Sequence, residues 1–245
     1  MSNVDIDIKD LLEAGVHFGH KTSRWHPKMA EYIHSKRQDT HIIDLVKTVE
    51  GLDKALNAVS EAVAKGGKIL FVGTKSQIKD EVRRVAELTS QPYVNERWVG
   101  GTLTNIKTIT SQIRKLHKLE KQMLSGELEK HYNKLEIQRF QEEIDALNLK
   151  YGGIKFMTAK PALVLVTDAI VDRNAITEAN IIGSPVIAFT DTNVDPTKID
   201  YVIPANDDAI KGLKLMLGYF EQVILEATQK PEKPVSTVKE EELAK

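Results

Sequence analysis

A chain of 245 residues with 41% hydrophobic side chains is long enough for one large domain, or for one domain carrying a smaller insertion. The lack of cysteine excludes disulfides, thiolate metal sites and a cysteine nucleophile, and no run approaches the roughly 18 consecutive apolar residues of a membrane span. The formal net charge of -1 hides an asymmetry: residues 20–37 and residues 107–121 each hold five basic residues against one acidic, whereas residues 161–208 hold eight acidic against two basic.

This polarity suits one face for a polyanion and another for solvent or basic partners, although mixed charge also describes ordinary solvated surface. The N-terminus has no basic region leading into an apolar core, so a cytoplasmic location is expected. Residues 7–14 have the apolar spacing of a short helix that Gly15 is placed to end. Residues 16–37 then become rich in His, Lys, Arg and Trp with little periodicity, which predicts an extended basic surface segment. A short strand is expected at 41–45, and an amphipathic helix at 47–65, with Leu52, Ala55, Leu56, Val59, Ala62 and Val63 at helical spacing.

The run ILFV at 69–72 ends at Gly73 and precedes a helix at 76–89, the pattern of a buried parallel strand and its crossover. That unit recurs. LVLV at 163–166 precedes a helix near 173–182, VIAF at 186–189 ends at Thr190-Asp191, a strand follows at 201–203, and residues 207–227 form a closing helix. The expected fold is therefore α/β: a doubly wound, flavodoxin-like parallel sheet of about five strands flanked by helices.

Between Val94 and Leu163 the pattern is interrupted. Leu103, Ile106, Ile109, Ile113, Leu116 and Met123 follow a three-four spacing, Ser125-Gly126 breaks it, and Leu128, Tyr132, Leu135, Phe140, Ile144 and Leu147 resume it with one irregular step. This predicts an inserted antiparallel coiled-coil helical hairpin. Gly100-Gly101 and Gly152-Gly153 mark its two roots, so the arm is expected to move relative to the main domain when the protein is free. The division is 1–102, first part of the α/β domain with the basic N-terminal segment; 103–152, the hairpin; 153–228, second part of the α/β domain; and 229–245, a disordered tail.

Gly73-Thr74-Lys75, Asp168 and Asp191 fall at strand carboxyl ends, where an enzyme on this fold keeps its site. A nucleotide- or magnesium-dependent enzyme is thus the alternative reading. The order Gly-Thr-Lys is not that of a phosphate-binding loop, no G-x-G-x-x-G follows a strand, and acids at strand ends also cap helices. His17, His20, His26, His34 and His41 cluster in one segment, yet no H-E-x-x-H accompanies them, so no metal and no other cofactor is expected. Trp25 and Trp98 each follow an arginine; both tryptophans are expected to be packing anchors, with Arg24 and Arg97 the better candidates for phosphate.

The blocks LLEAGVHFGHKTSRWHPKM, HIIDL, GGKILFVGTK, YVNERWVGGTLTNIKTI, YGGIKFM and DTNVDPTKIDYVIPANDDAI are collinear across the chain, and together they resemble the bacterial small ribosomal subunit protein S-two family. The resemblance implies a non-enzymatic, ribosome-associated protein that binds ribosomal RNA near the head-body junction on the solvent side. It also implies neighbouring small-subunit proteins as partners, including the messenger-RNA-capturing S-one protein, with neither a membrane nor a small-molecule substrate. His20, Lys21, Arg24, Lys28, Lys75, Arg97, Asn105 and Lys107 fit both the blocks and the charge argument as RNA contacts. Lys36, Arg37, Arg114, Lys115 and Lys118 join them on charge. The chain departs from the family pattern at Phe156, Ala162 and Val194, which puts protein contacts in the acidic half in doubt; Phe156 is expected to fill core space near the hairpin root.

Overall fold

The computed structural model describes residues 4–229. In chain order the elements are α1 (Ile8–Glu13), β1 (Phe18–Lys21), β2 (Ile33–Arg37), β3 (Thr40–Ile43), α2 (Leu45–Ala64), β4 (Ile69–Val72), α3 (Lys79–Leu88), β5 (Tyr93–Val94), α4 (Ile106–Leu124), α5 (Glu127–His131), α6 (Lys134–Tyr151), β6 (Leu163–Val166), α7 (Arg173–Ile182), β7 (Val186–Thr190), β8 (Tyr201–Pro204) and α8 (Ile210–Gln229). The expected tail lies outside the described residues except for Gln229, which ends α8. Among the described residues no helix is long and apolar enough to cross a membrane.

Five strands form a parallel sheet in the order β5-β4-β6-β7-β8, the doubly wound order in which the direction of winding reverses between β4 and β6. Because successive strand residues point to opposite faces, each apolar run divides between two cores. Ile69 and Phe71 of β4, Leu163 and Leu165 of β6, and Ile187 and Phe189 of β7 pack with α2, α3 and α8. Leu70, Val72, Val164, Val166, Val186 and Ala188 take the other face, whose apolar cluster runs on through Ala175 and Ala179 of α7 to Leu116, Ile144 and Leu147 of the insertion. The strands read as unbroken apolar runs because both faces are covered.

The insertion contains three helices rather than two, with the short α5 between α4 and α6. Lys115 of α4 pairs with Glu143 of α6, and Asn148 Nδ2 donates to Glu120 at 3.0 Å. Both partners advance by five residues between these contacts, whereas a regular antiparallel ladder pairs rising with falling numbers. The contacts therefore describe two packed helices and do not establish the expected coiled-coil pairing.

Both roots are held more firmly than the glycine pairs suggest. Only Gly101 of the first pair is left-handed, at φ +89°, and its N–H is bound by the Glu178 carboxylate at 2.8 Å. At the second root Gly153 packs so tightly that a Cβ there would lie 2.2 Å from the Tyr93 carbonyl oxygen. Hydrogen bonding and close packing hold both roots in this conformation. Phe156, expected in the core, is 80% exposed; its ring lies over His117, 6.2 Å between centroids.

Candidate nucleic-acid interface

The basic N-terminal segment is not simply extended. It forms a second, antiparallel sheet in the order β1-β3-β2, with two 3-10 turns (Thr22–Arg24 and Pro27–Tyr32) between β1 and β2 and the buried Met29 as its anchor. Arg37 pairs with Thr40, so β2 and β3 are joined by the two-residue loop Gln38-Asp39, both residues with positive φ, at 46° and 61°. That is the geometry hairpins favour, here without the Asn-Gly or Asp-Gly that signals it in sequence. The strands are short, and four of the five residues of β2 are exposed. They present no apolar alternation to read.

Lys21, Arg24, Lys36 and Arg37 all stand exposed on this unit. Lys36 reaches Asp39 at 3.3 Å across the loop, a surface pair of little strength. Lys28 is committed further: its ammonium lies 3.1 Å from the Asp195 carboxylate and 3.4 Å from the Thr197 hydroxyl. Trp25, expected to be buried, is 39% exposed beside these cations, with its ring 5.3 Å from that of His41. Trp98 is buried as expected.

A second basic group follows β5. Arg97, Lys107, Arg114 and Lys118 are exposed, and Asn105 is the N-cap of α4, its Oδ1 accepting from the Thr108 N–H at 3.4 Å. Lys115 is held by Glu143. Among the described residues, Lys21, Arg24, Arg37, Arg97, Lys107, Arg114 and Lys118 have no ion-pair partner. His20 lies beside the end of β7 and Arg97 beyond the end of β5, so these two residues mark the carboxyl edge of the parallel sheet, while α4 runs on toward Glu120, which binds Asn148 and Lys155 near the second root. Three strand spacings, about 14 Å, separate β5 from β7 along that edge.

Glu178 of α7 organises the loop that carries the second group. It accepts from the Trp98 indole N–H at 2.9 Å, from the backbone N–H of Gly101, Leu103 and Thr104, and from the Thr104 hydroxyl. Burial opposes its ionisation, but these bonds outweigh burial and hold its pKa below the usual value. Sequence reasoning missed this residue, since nothing local to α7 announces five donors from a loop more than seventy residues earlier.

Behind the basic groups, at the reversal between β4 and β6, lies a cluster of opposite sign. Lys75 sits among Asp168 at 3.2 Å, Asp207 at 3.0 Å and Asp208 at 2.7 Å, its side chain only 16% exposed. Burial works against the Lys75 charge, yet these carboxylates hold its pKa above the usual lysine value. His20 Nδ1 lies 2.9 Å from Asp191 Oδ2, which raises the imidazole pKa against the effect of burial. Burial and the charges of Asp168 and Asp191 push the Asp207 carboxyl up to about 6.

Lys75 is matched internally by three carboxylates and half-buried His20 is turned to Asp191, so in this structure both charges are engaged within the protein. The strand-end enzyme reading fails on the same geometry. The Thr74 N–H, which a phosphate would need, is bound by Asp172 Oδ2 at 3.1 Å, and the Thr74 hydroxyl donates to Oδ1 at 2.8 Å. Asp168 caps the turn that follows it, accepting from Ile170 and Val171 N–H at 2.9 Å each. These aspartates repel a nucleotide's phosphates.

Residues 11–227 match the family model described as ribosomal protein S2. The chain is also similar to the small ribosomal subunit protein uS2 of Dehalococcoides mccartyi, strains BAV1 and CBDB1. Each is 46% identical over 221 residues, which cover 90% of this chain and 90% of the relative.

Proposed function

From the premise that the chain belongs to the ribosomal protein S2 family, we propose that its two basic groups grip ribosomal RNA. A member of this family is a structural component of the small ribosomal subunit, acts in translation and is not an enzyme; its partners are ribosomal RNA and ribosomal proteins. The finer reading is ours. The RNA contact lies near the head-body junction on the solvent side, and the N-terminal region with the main domain helps to dock the S-one protein. Residues 103–152 act as an inserted unit between the two halves of the α/β domain.

The observation that carries the RNA reading is two groups of exposed cations that have no ion-pair partner among the described residues, Lys21, Arg24 and Arg37 in one and Arg97, Lys107, Arg114 and Lys118 in the other. An exposed cation with no internal partner is free to displace counterions from a phosphate backbone. Lys28, Lys36 and Lys115 contribute less, since each already has an acidic neighbour.

The test is the salt dependence of binding to small-subunit RNA. Lys21→Ala and Arg24→Ala should each lower the slope of log affinity against log salt by roughly 0.7 to 0.9. Lys28→Ala should lower it less. A slope unchanged in the double variant K21A/R24A would overturn this choice of face.

A further inference from the structure

We infer that the groove between α3 and the second root of the insertion is a docking site for single-stranded RNA, with Phe156 as the platform on which an unpaired base stacks. The inference rests on the chain being an RNA binder, but it uses none of the residues assigned to the two basic groups. The groove has a volume of about 1140 Å3. It lies beside the edge strand β5, with Arg83, Glu87 and Ser90 on the α3 side and Asn148, Leu149 and Phe156 on the insertion side. Lys68, Pro92 and Lys160, which precede β4, β5 and β6, place one end of it at the amino edge of the sheet. Sites for small molecules measure about 300 to 1,000 Å3, so a single metabolite would leave part of this groove empty.

Phe156 supplies the recognition. Its ring has Lys155 Nζ 5.5 Å from the centroid and the His117 ring 6.2 Å away, tilted by 46°. Neither neighbour covers it, since the residue stays 80% exposed. An open aromatic face beside a cation and a second ring is the arrangement on which nucleic-acid bases stack. In a duplex the bases are stacked on one another and offer no free face, so the partner this ring fits is unpaired.

The charges of the lining favour a polyanion. Of its three carboxylates, Glu87 is held by Arg83 at 2.8 Å and Glu96 by Lys79 at 3.0 Å, which leaves Asp145. Of its five cations, Arg83 and Lys155 have acidic partners, whereas Lys68, Lys150 and Lys160 have none among the described residues. Lys68 donates to the Ser90 carbonyl, and Lys160 to those of Ile182 and Gly183, each at 3.0 Å. An ammonium has three N–H groups, so these bonds fix both lysines and leave two donors on Lys68 and one on Lys160 for phosphate. Asn95 and Asn148 donate through Nδ2 to the Lys79 carbonyl and to Glu120. Both Oδ1 atoms then remain to accept from the exocyclic amines of splayed bases.

The probe is fluorescently labelled hexaadenylate RNA, bound to the full chain and followed by anisotropy over a range of salt. Phe156→Ala should weaken its binding by about 5- to 150-fold, the range for one stacked base, and leave the salt slope unchanged, while Phe156→Trp keeps the affinity. Lys150→Ala should instead lower the slope by about 0.7. Phe156 and Lys150 are both exposed, so neither change opens the core. Wild-type affinity in Phe156→Ala, or equal affinity for an RNA hairpin with every base paired, would overturn the groove. A loss of hexaadenylate confined to K21A/R24A would also overturn it and leave the RNA reading of the basic groups standing. The reverse result, hexaadenylate lost in Phe156→Ala while K21A/R24A keeps its salt slope on small-subunit RNA, would uphold the groove and overturn those groups. No binding of hexaadenylate would sink the proposal, and protection of the Tyr93 and Asn95 amides from exchange by a small-subunit protein would then assign the groove to a protein partner.

Discussion

The Trp98 indole N–H donates to Glu178 at 2.9 Å, and this bond joins the loop at the first root of the insertion to a helix of the central domain. Replacing the carboxylate by an amide leaves the same five donors facing a group that is half donor itself. Glu178→Gln should therefore cost about 3 kcal/mol and expose the amides of Gly101, Leu103 and Thr104 to hydrogen exchange. Because the folded-state pKa is lowered, the carboxylate's contribution is present above the usual glutamate pKa and is lost as pH falls through the depressed value. Denaturant melts across the acid range, with exchange at those three amides, check both parts.

Lys75 separates stability from RNA affinity. Removing the ammonium leaves Asp168 and Asp207, both nearly fully buried, without their cation. Lys75→Met should destabilise the fold by about 3 kcal/mol while the salt slope of RNA binding stays at its wild-type value. A slope that fell by a full unit would return Lys75 to the interface.

Asp172 is the counterpart on the acid side. Burial pushes its pKa up to about 6 from an ordinary 3.8, so the folded state favours the neutral carboxyl. Stability associated with this group is greatest below pH 3.8, declines as pH rises toward 6 and is level above that. Asp172→Asn keeps an acceptor for the Thr74 N–H and removes the charge. Its advantage over the wild type should grow between pH 4 and 6 and reach at most about 3 kcal/mol, as read from urea midpoints.

Gly153→Ala tests the second root. The added methyl meets a carbonyl oxygen rather than the end of a flexible side chain, so the 3-10 turn at Gly152–Ile154 must move off β5. A loss of about 2 kcal/mol is expected, together with faster exchange at Tyr93 and Val94. Gly100→Ala, with open space around it and no left-handed angle, should cost much less.

The parts of the fold legible in the sequence were those carried by apolar pattern. ILFV and LVLV were placed to the residue, and the alternation of strands with helices implied the winding that the sheet order displays. The second sheet was not legible, because FGHK and IHSKR are short, polar and largely exposed, and their hairpin turns on Gln38-Asp39. The ion cluster escaped for a different reason. Lys75, Asp168, Asp191, Asp207 and His20 come together from separate turns, and no spacing along the chain encodes that meeting. Charge counting found the basic surface but could not tell Arg24, which faces solvent, from Lys75, whose charge is matched from within.

The contact between His20 and Asp191 spans 171 positions of sequence. As the chain is synthesised from its N-terminus, Lys21 and Arg24 emerge early, but the carboxylates that seat their sheet appear only after some 170 further residues. Until then the cations hang on a segment whose own buried apolar residues are few, Val16, Met29 and Ile43. Ordered presentation of that surface is thus timed by translation itself: a chain halted before Asp191 carries the positive charge without the shape, and only a chain extended past it can present both.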